Sequence, residues 1–452
     1  MNIKVVLVDN DDSFPYDEFE NVDLIKELIE LNSFSSKANQ ILFLPSSCVK
    51  DYDYGLLVGL DGCSNNSDFL DVGLKIGKSL NDDTILTFFS KLDELNLYYI
   101  KFGILLSQYD FREFKSDQKD QINIEINGID NINEIKSKVD SVFWVRDLVN
   151  YPSITKTPEF FIEKVEQLVT NLNIKLSVYD HEWLSQNNFG GVIGVGQGSE
   201  RKPKFLVGEF NPKAKLQIAL IGKGVLFDSG GLSLKSPSGM ETMKTDMTGA
   251  ATAWGVISLV ASQNLDVGLK VYTPLVENMP SGTAIRPGDV LTMRNKKTIE
   301  VLNTDAEGRL IMADALAFAS ESNPNIICDV ATLTGASYVA LGLDIGAVFS
   351  NDDETLDKFL SANENTHEKY HSLPLEKSYK SLIKSEIADM KNTGGRFGGA
   401  ITAALLLEEF VNDINWIHLD IAGPARSKNS KSATGFGTIG LYNFIERFTK
   451  SQ

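Results

Sequence analysis

Cysteine and histidine are both scarce in this 452-residue chain. The three cysteines, Cys48, Cys63 and Cys328, lie far apart in the sequence and form no CxxC pair. This spacing argues against a disulfide framework and against a thiolate zinc site, and it is typical of a reducing compartment. The four histidines show no metal-binding spacing, and His418 is expected to be a core residue.

The chain also lacks a long apolar segment and an excess of basic side chains. No stretch provides the about 20 apolar residues of a membrane-spanning helix. The opening residues MNIKVVLVDNDDSF predict a first strand and not a signal peptide. Lys and Arg number 43 against 61 Asp and Glu, which gives a formal net charge of −18. Because an acidic surface repels phosphates, nucleic acid is not expected as a partner. The sequence therefore predicts a cytoplasmic protein with no membrane partner.

Short apolar runs alternate with amphipathic helices along the chain, which predicts an α/β protein. Residues 1–130 are predicted to form a smaller N-terminal α/β domain. A polar stretch then marks a boundary, and a connecting helix is predicted over 131–155, stopped by Pro152. Residues 156–452 are predicted to form a larger α/β domain with a mixed central sheet flanked by helices. Its first helix should begin after Thr157, a good N-cap residue, with Pro158 in the first turn.

Charged side chains follow the predicted strand QIALIG and precede the predicted helix TGAATAWGVISLVASQ. The segment KGVLFDSGGLSLK, interpreted as a loop, contains Lys223, Asp228 and Lys235, and Asp246 lies just ahead of the helix. The adjacent glycine pair permits a tight turn or a close approach to a ligand. Because binding sites in such sheets gather at the carboxyl ends of strands, these residues are candidates for a functional site.

A second group of charges lies in the stretch VLNTDAEGRL, residues 301–310. A strand here would place Asp305, Glu307 and Arg309 on one face. In isolation, such a pattern is more often a solvated, ion-paired face. If the two segments meet, however, four carboxylates need positive charge nearby, and two divalent ions would supply it. Lys223 would bind metal only as a neutral amine, which requires a strongly lowered pKa.

Several motifs together resemble the leucyl aminopeptidase family, the cytosol aminopeptidases, which are exopeptidases with two metal ions. NTDAEGRL is similar to the family signature, and VRDLVNYP, GKGVLFDSGGLSLK, MKTDMTGAA, DVATLTGA, ADMKNTGG and HLDIAGPA follow the family's order. The resemblance covers about Val145 to Phe444, and the N-terminal part carries no matching motif. It implies a metal-dependent aminopeptidase that removes N-terminal amino acids, preferably leucine-like ones, by attack of a metal-bridging hydroxide.

The resemblance also implies a role for individual residues. The metal ligands would be Lys223, Asp228, Asp246, Asp305 and Glu307. Asp228 and Glu307 would bridge both ions, while Lys223 and Asp246 would complete the tighter site and Asp305 the more exchangeable one. The catalytic cations would be Lys235 and Arg309, with a bicarbonate ion at Arg309. The pocket for the first side chain of the substrate would include Met243, Thr332, Gly335 and Ala336.

The resemblance implies two kinds of ligand. These are two divalent ions per subunit, Zn²⁺ or Mn²⁺, and peptides with a free N-terminus. It further implies a homohexamer whose active sites face an inner cavity. Two other functions stay open at this point. Some relatives bind DNA in recombination or regulation, which the charge of −18 disfavours here. A catalytically inactive homologue is the other alternative, which the complete set of matching ligands disfavours.

Overall fold

The computed structural model describes residues 1–9, 15–117, 122–127, 132–428 and 431–450. Contacts divide the chain into two compact units, 1–139 with 365–367, and 140–364 with 368–452. The predicted fold class, two α/β parts of unequal size with a mixed sheet in the larger, is confirmed. The division into domains 1–130, 131–155 and 156–452 stays a prediction. None of the described helices combines the length and apolar character needed to cross a bilayer.

The N-terminal unit is built around a five-stranded sheet in the order β2-β3-β1-β4-β5. All neighbouring strands are parallel except β2 and β3. Its strands are β1 (Asn2–Val8), β2 (Ile41–Pro45), β3 (Tyr54–Gly59), β4 (Thr84–Phe89) and β5 (Ile124–Asn127). Its helices are α1 (Val22–Leu31), α2 (Asn66–Ser79) and α3 (Glu94–Leu106), followed by α4 (Ile132–Asn150), within which the division between the units falls. Strand β5 lies in the polar stretch interpreted as a boundary; residues 118–121 and 128–131 of that stretch lie outside the described residues.

The larger unit contains a nine-stranded mixed sheet in the order β15-β14-β17-β13-β8-β10-β7-β6, with β9 paired to β10. Strands β17, β13, β8 and β10 run parallel at its centre. The strands are β6 (Ile174–Tyr179), β7 (Lys204–Phe210), β8 (Gln217–Gly222), β9 (Gly224–Asp228), β10 (Gly268–Asn278), β13 (Ile326–Ala331), β14 (Ile345–Ser350), β15 (Lys369–Ser372) and β17 (Trp416–Asp420). A separate small sheet joins β11 (Val290–Thr292), β12 (Thr298–Glu300) and β16 (Met390–Lys391).

Helices cover both faces of the large sheet. They are α5 (Pro158–Val169), α6 (His181–Gln186), α7 (Gly190–Gly196), α8 (Pro237–Met240), α9 (Thr248–Ser262), α10 (Gly308–Ser320), α11 (Gly335–Leu341), α12 (Asp353–Asn363), α13 (Gly399–Glu408) and α14 (Thr438–Lys450). Helix α5 begins as predicted, because the Thr157 side chain accepts a hydrogen bond from the Phe160 amide and Pro158 occupies the first turn. The amphipathic patterns therefore located several of these helices to within a few residues.

Alternate residues of β8 belong to two separate hydrophobic cores. Ile218 and Leu220 pack in the core that contains Trp254 of α9. Ala219 and Ile221 pack in the core that contains the apolar side of α10. This alternation is the period-two geometry of a strand buried on both faces. The polar site must therefore lie at the strand ends.

Two local structures differ from what the residue patterns suggest. The segment after Lys223 is not entirely a loop, because Gly224–Asp228 forms β9 and pairs with β10. The stretch 301–310 is not a strand, because a turn at Thr304 and Asp305 leads directly into α10 at Gly308. A turn followed by a helix N-terminus, and not strand alternation, therefore directs the three charged side chains. His418, expected in the core, is fully buried with Nδ1 2.5 Å from Asp329 Oδ1.

Candidate metal centre

The carboxyl ends of β8 and β9, which both pair with β10, and the turn before α9 supply the first group of charged residues. Lys223 directly follows β8, Asp228 ends β9, and Asp246 follows the short 3-10 helix Met243–Thr245 that leads to α9. All three side chains are almost completely buried. This placement agrees with the rule that binding sites in parallel α/β sheets gather at the carboxyl ends of strands. The same rule groups these residues from the sequence.

The start of α10 brings the second group to the same place. Glu307 immediately precedes the helix, and its Oε1 lies 3.0 Å from Lys223 Nζ. This approach depends on Gly308, because a Cβ there would lie 2.4 Å from Lys223 Cε. On the opposite side, Gly230 has a positive φ of 86°, and a Cβ on it would lie 2.8 Å from Asp305 Oδ1. Glycine therefore leaves room for the facing side chain at both contacts, and the positive φ at Gly230 favours glycine there as well.

Ion pairs join the predicted ligands and the predicted catalytic lysine in two groups, one around Lys223 and one around Lys235. Lys223 Nζ lies 2.7 Å from Asp246 Oδ1, in addition to its contact with Glu307. Lys235 Nζ lies 2.8 Å from Asp228 Oδ2 and 2.5 Å from Asp305 Oδ1. Six of the seven residues predicted as ligands or catalytic cations thus meet through direct contacts.

The carboxylates have more oxygen atoms than the surrounding donors satisfy. One oxygen each from Asp228, Asp305 and Glu307 lie within 4.8 Å of one another. Asp246 Oδ2 and Glu307 Oε2 are buried, and neither has a hydrogen-bond partner among the residues that the structure describes. A buried carboxylate oxygen without a partner is costly, and a cation is the usual compensation. Because hard divalent cations favour carboxylate oxygens, this donor set fits metal ions.

Burial and mutual repulsion perturb the titration of the site. Burial, reinforced by the charge of Glu307, raises the pKa of Asp228 to about 7. Burial also raises the pKa of Asp246 well above its usual value. Glu307 is equally buried, yet its pKa is lowered because Lys223 and Lys235 outweigh burial. Four carboxylates thus face three basic groups. This is the excess of negative charge predicted from the sequence.

The expectation of a lowered pKa for Lys223 is not met by the protein groups alone. Burial lowers the pKa of its amine, but the charges of Asp246 and Glu307 outweigh burial and raise it. The physical reason is that carboxylates, and not cations, surround the amine. Lys223 would therefore have to release a proton before it could bind a metal ion.

Arg309 lies in the first turn of α10 and is buried. Its Nη1 donates to the Asn392 carbonyl at 2.7 Å, while its Nε is buried without a partner. Burial lowers the pKa of its guanidinium to about 10, against the opposing charge of Glu307. Arg309 therefore remains a cation at neutral pH and retains an unused donor.

Two asparagines that the residue patterns did not single out hold the ligands in place. Asn278 Nδ2, at the end of β10, donates to Asp228 Oδ1 at 2.8 Å and to the Thr304 carbonyl at 2.9 Å. Asn392 Nδ2 donates to the Asn303 carbonyl at 2.6 Å, and its Oδ1 accepts from the Leu302 amide. The strand-end rule would have found Asn278, whereas Asn392 carries no local signal beyond its motif.

One of the four predicted pocket residues, Thr332, contacts the site directly. Thr332 Oγ1 donates to Asp246 Oδ1 at 2.8 Å, and its carbonyl accepts from Lys223 at 2.9 Å. Met243 is half-buried in the 3-10 helix ahead of Asp246. Gly335 is exposed at the start of α11, next to the half-buried Ala336. Their joint function as a pocket stays a prediction.

Comparison with known proteins identifies the family. The model of the cytosol aminopeptidase family's catalytic domain matches residues 143–442. The chain belongs to the cytosol aminopeptidase family. A probable cytosol aminopeptidase of Syntrophotalea carbinolica is 43% identical and is matched over 76% of this chain and 74% of its own length. One from Rickettsia bellii is 37% identical over 100% of this chain and 97% of its own length.

Solved structures agree with this assignment across both units. A bottromycin maturation enzyme, BotP, in complex with Mn superposes with a TM-score of 0.90 at 28% identity, over 99% of both chains. A mutant of tomato leucine aminopeptidase gives 0.87 at 30% identity, over 99% of this chain and 94% of its own. The predicted family and the predicted metal-dependent aminopeptidase, a hydrolase acting on peptides, are confirmed. None of these comparisons supports the DNA-binding alternative.

Proposed function

We propose that this chain removes leucine-like residues from the free N-terminus of peptides, with two divalent metal ions held at the strand-end site. The proposed ligands are Lys223, Asp228, Asp246, Asp305 and Glu307. The observation that carries the proposal is the cluster of buried carboxylates, with oxygens on Asp246 and Glu307 that lack any hydrogen-bond partner. When bound, such a pair of ions acidifies a water molecule and polarises a carbonyl group.

The five ligands divide by position. Asp228 and Glu307 are proposed to bridge both ions, because they belong to different ion-pair groups and yet have one oxygen each within 4.8 Å of the other. Lys223 and Asp246, in mutual contact, are proposed to complete the tighter site, and the less buried Asp305 the more exchangeable one. The identity of the ions is proposed as Mn²⁺ or Zn²⁺, and the Mn in the BotP structure supports the first choice.

Lys235 is proposed to stabilise negative charge on the scissile carbonyl oxygen. It is held by Asp228 and Asp305, yet its side chain retains 16% exposure and can therefore meet a substrate. Its burial lowers the amine pKa, but these carboxylates outweigh burial and raise it, which keeps a positive charge in place. A single preorganised donor of this kind contributes roughly 3–4 kcal/mol to transition-state stabilisation.

Arg309 is proposed to hold a bicarbonate ion that moves protons during the reaction. The unpartnered Nε and the permanent charge of the buried guanidinium support an anion at this position. The backbone tie from Nη1 to Asn392 fixes its orientation. The pocket for the substrate's first side chain is proposed at Met243, Thr332, Gly335 and Ala336, and the assembly as a homohexamer in the cytoplasm. These assignments are supported by family membership.

Hydrolysis of leucine amide by the full-length protein tests the proposal. We expect turnover to disappear after chelation and to return with Mn²⁺ or Zn²⁺. N-acetyl-leucine amide, which lacks a free amine, is the matched control substrate and should stay intact. Protein that binds metal but leaves leucine amide and amides of other N-terminal residues intact would contradict the proposal.

A further inference from the structure

Two lysines bind the carbonyl groups at the end of helix α4. Lys156 Nζ donates to the Val149 carbonyl at 3.0 Å, and Lys244 Nζ donates to the Asn150 carbonyl at 2.7 Å. The last carbonyls of a helix have no partner within the helix, and cations there are favoured by the helix dipole. Both lysines therefore act as caps for this helix end.

Lys156 also binds the backbone of the other lysine. Its Nζ donates to the Lys244 carbonyl at 2.7 Å, and the whole side chain is fully buried. None of the described carboxylates forms an ion pair with it. A fully buried amine whose described hydrogen bonds go to two backbone carbonyls fixes the distance between those carbonyls. It therefore ties the end of α4 to the segment around Lys244.

That segment carries parts of the candidate metal centre. Lys244 is the central residue of the 3-10 helix Met243–Thr245, and Asp246 follows immediately. Hydrogen bonds from Thr245 to the Thr242 carbonyl and from Asp246 to the Met243 carbonyl make this a compact turn. A shift of the Lys244 carbonyl would therefore be transmitted to the Asp246 backbone.

Among the described residues, the donors to the Asp246 side chain are Lys223 and Thr332, which lie outside the segment around Lys244. Lys223 and Thr332 both donate to its Oδ1, while Oδ2 has no partner. The backbone anchor from Lys156 thus complements the side-chain contacts. The backbone anchor and the side-chain contacts together fix the position of Asp246 Oδ2.

We propose that Lys156 is a positioning residue for the metal site, which holds Asp246 in place by anchoring the Lys244 carbonyl to the end of helix α4. This inference rests on the proposed function of Asp246 as a ligand. Groups outside the first coordination sphere commonly change metal affinity by about 10–100-fold when they are removed. Because Lys156 acts on Asp246 through the Lys244 backbone, we expect a change at the lower end of this range.

The test compares Lys156→Met with a neighbouring control in the full-length protein. Methionine keeps the buried volume and removes the donor. The control, Thr157→Ala, removes the N-cap of α5 next to Lys156 and leaves the Lys244 anchor intact. Both variants should lower the melting temperature. Mn²⁺ binding to chelator-treated protein is then measured by calorimetry at a temperature where each variant is folded.

We expect Lys156→Met to bind one of two Mn²⁺ ions about tenfold more weakly, with the second affinity unchanged and kcat reduced. Thr157→Ala should bind Mn²⁺ as wild type does. Unchanged Mn²⁺ affinities in Lys156→Met, with only a lower melting temperature, would show a purely structural lysine and overturn the inference. If Lys156→Met does not fold, Lys156→Gln, which keeps a shorter donor, is read by the same criteria. Failure of wild type to bind Mn²⁺ would instead contradict the proposed function.

Discussion

Helix α10 places two buried carboxylates in contrasting surroundings, one just before its first residue and one in its interior. Asp314 accepts hydrogen bonds from the Val192 amide at 3.0 Å and from the Arg294 amide at 2.8 Å, one to each oxygen. Glu307 meets Lys223 through Oε1, while its Oε2 has no partner. A carboxylate satisfied by fixed backbone amides is a structural support, whereas one with a free buried oxygen among other carboxylates is arranged for a cation.

The direction of a pKa shift does not separate proposed metal ligands from structural carboxylates, because two proposed ligands, Asp228 and Glu307, shift in opposite directions. Burial raises the pKa of Asp314 to about 7, against its backbone hydrogen bonds. Asp228, a proposed ligand, is also raised to about 7 by burial. Glu307 is lowered, because Lys223 and Lys235 outweigh burial. The hydrogen-bond partners of each carboxylate, and its oxygen atoms that have none, therefore distinguish the metal-binding region from the structural one. The pKa shift alone does not.

The largest expected effect is at the start of the helix. Glu307→Gln keeps the size of the side chain and removes the charge proposed to bridge two ions. Loss of a residue that orients a metal ligand commonly costs up to about 100-fold in activity. Because Glu307 is itself proposed as a ligand, we expect turnover of leucine amide to fall by more than that. Turnover is measured under saturating Mn²⁺, with circular dichroism as the control for folding. Wild-type turnover in this variant would contradict the bridging assignment.

A somewhat smaller loss is expected at the neighbouring cation. Lys235→Met removes the amine that contacts Asp228 and Asp305 but leaves all five proposed ligands in place. We expect kcat to fall by about 100-fold, the cost of one oxyanion donor, with a smaller change in KM. Steady-state kinetics on leucine amide provide both values. A raised KM with an unchanged kcat would assign Lys235 to substrate binding instead.

Bound Mn²⁺ should stabilise the folded state through Glu307, just before α10, and not through Asp314 in the helix interior. At a free Mn²⁺ concentration of about 100 times Kd, binding stabilises the folded state by roughly 2.7 kcal/mol. We expect the Mn²⁺-dependent rise in the unfolding midpoint to persist in Asp314→Asn and to shrink in Glu307→Gln. Urea unfolding with and without Mn²⁺ measures it. Equal losses in both variants would remove the distinction between the two regions.

The smallest effect expected is a pH dependence at Asp314. Its folded pKa of about 7 lies above the usual value for Asp in an unfolded chain, roughly 3.9. The folded state therefore binds more protons between these values, so its contribution to stability is full below pH 4 and is lost as pH rises through 7. Asp314→Asn should flatten this decline in urea unfolding between pH 5 and 8. If the free energy of unfolding declines with pH as steeply in Asp314→Asn as in wild type, other groups cause the decline.

The strand-end rule predicted most of the candidate site from the sequence. It grouped Lys223, Asp228 and Asp246 because each follows or precedes an element of a parallel sheet, and the structure brings them together. It could not predict their exact contacts, since these depend on Gly230 and Gly308 and on where β9 pairs with β10. The family resemblance, and not the spacing of residues, distinguished ligands from a solvated ion-paired face.

The errors have local physical causes. Charges at every second position in 301–310 suggested a strand, but a turn and a helix N-terminus can present the same residues to one point. Strand β9 was interpreted as a loop because it is short and ends at the glycine turn. Asn392 reaches the turn before α10 from a distant part of the chain, so no local pattern reveals it.

Anomalous diffraction from crystals grown with Mn²⁺ tests the central claim most directly. We expect two Mn peaks roughly 3.5–4 Å apart, with Asp228 and Glu307 between them, Lys223 and Asp246 at one, and Asp305 at the other. Asp314, with its oxygens already satisfied, should have no peak. Fully ordered carboxylates at the start of α10 with no Mn peak among them would contradict the account.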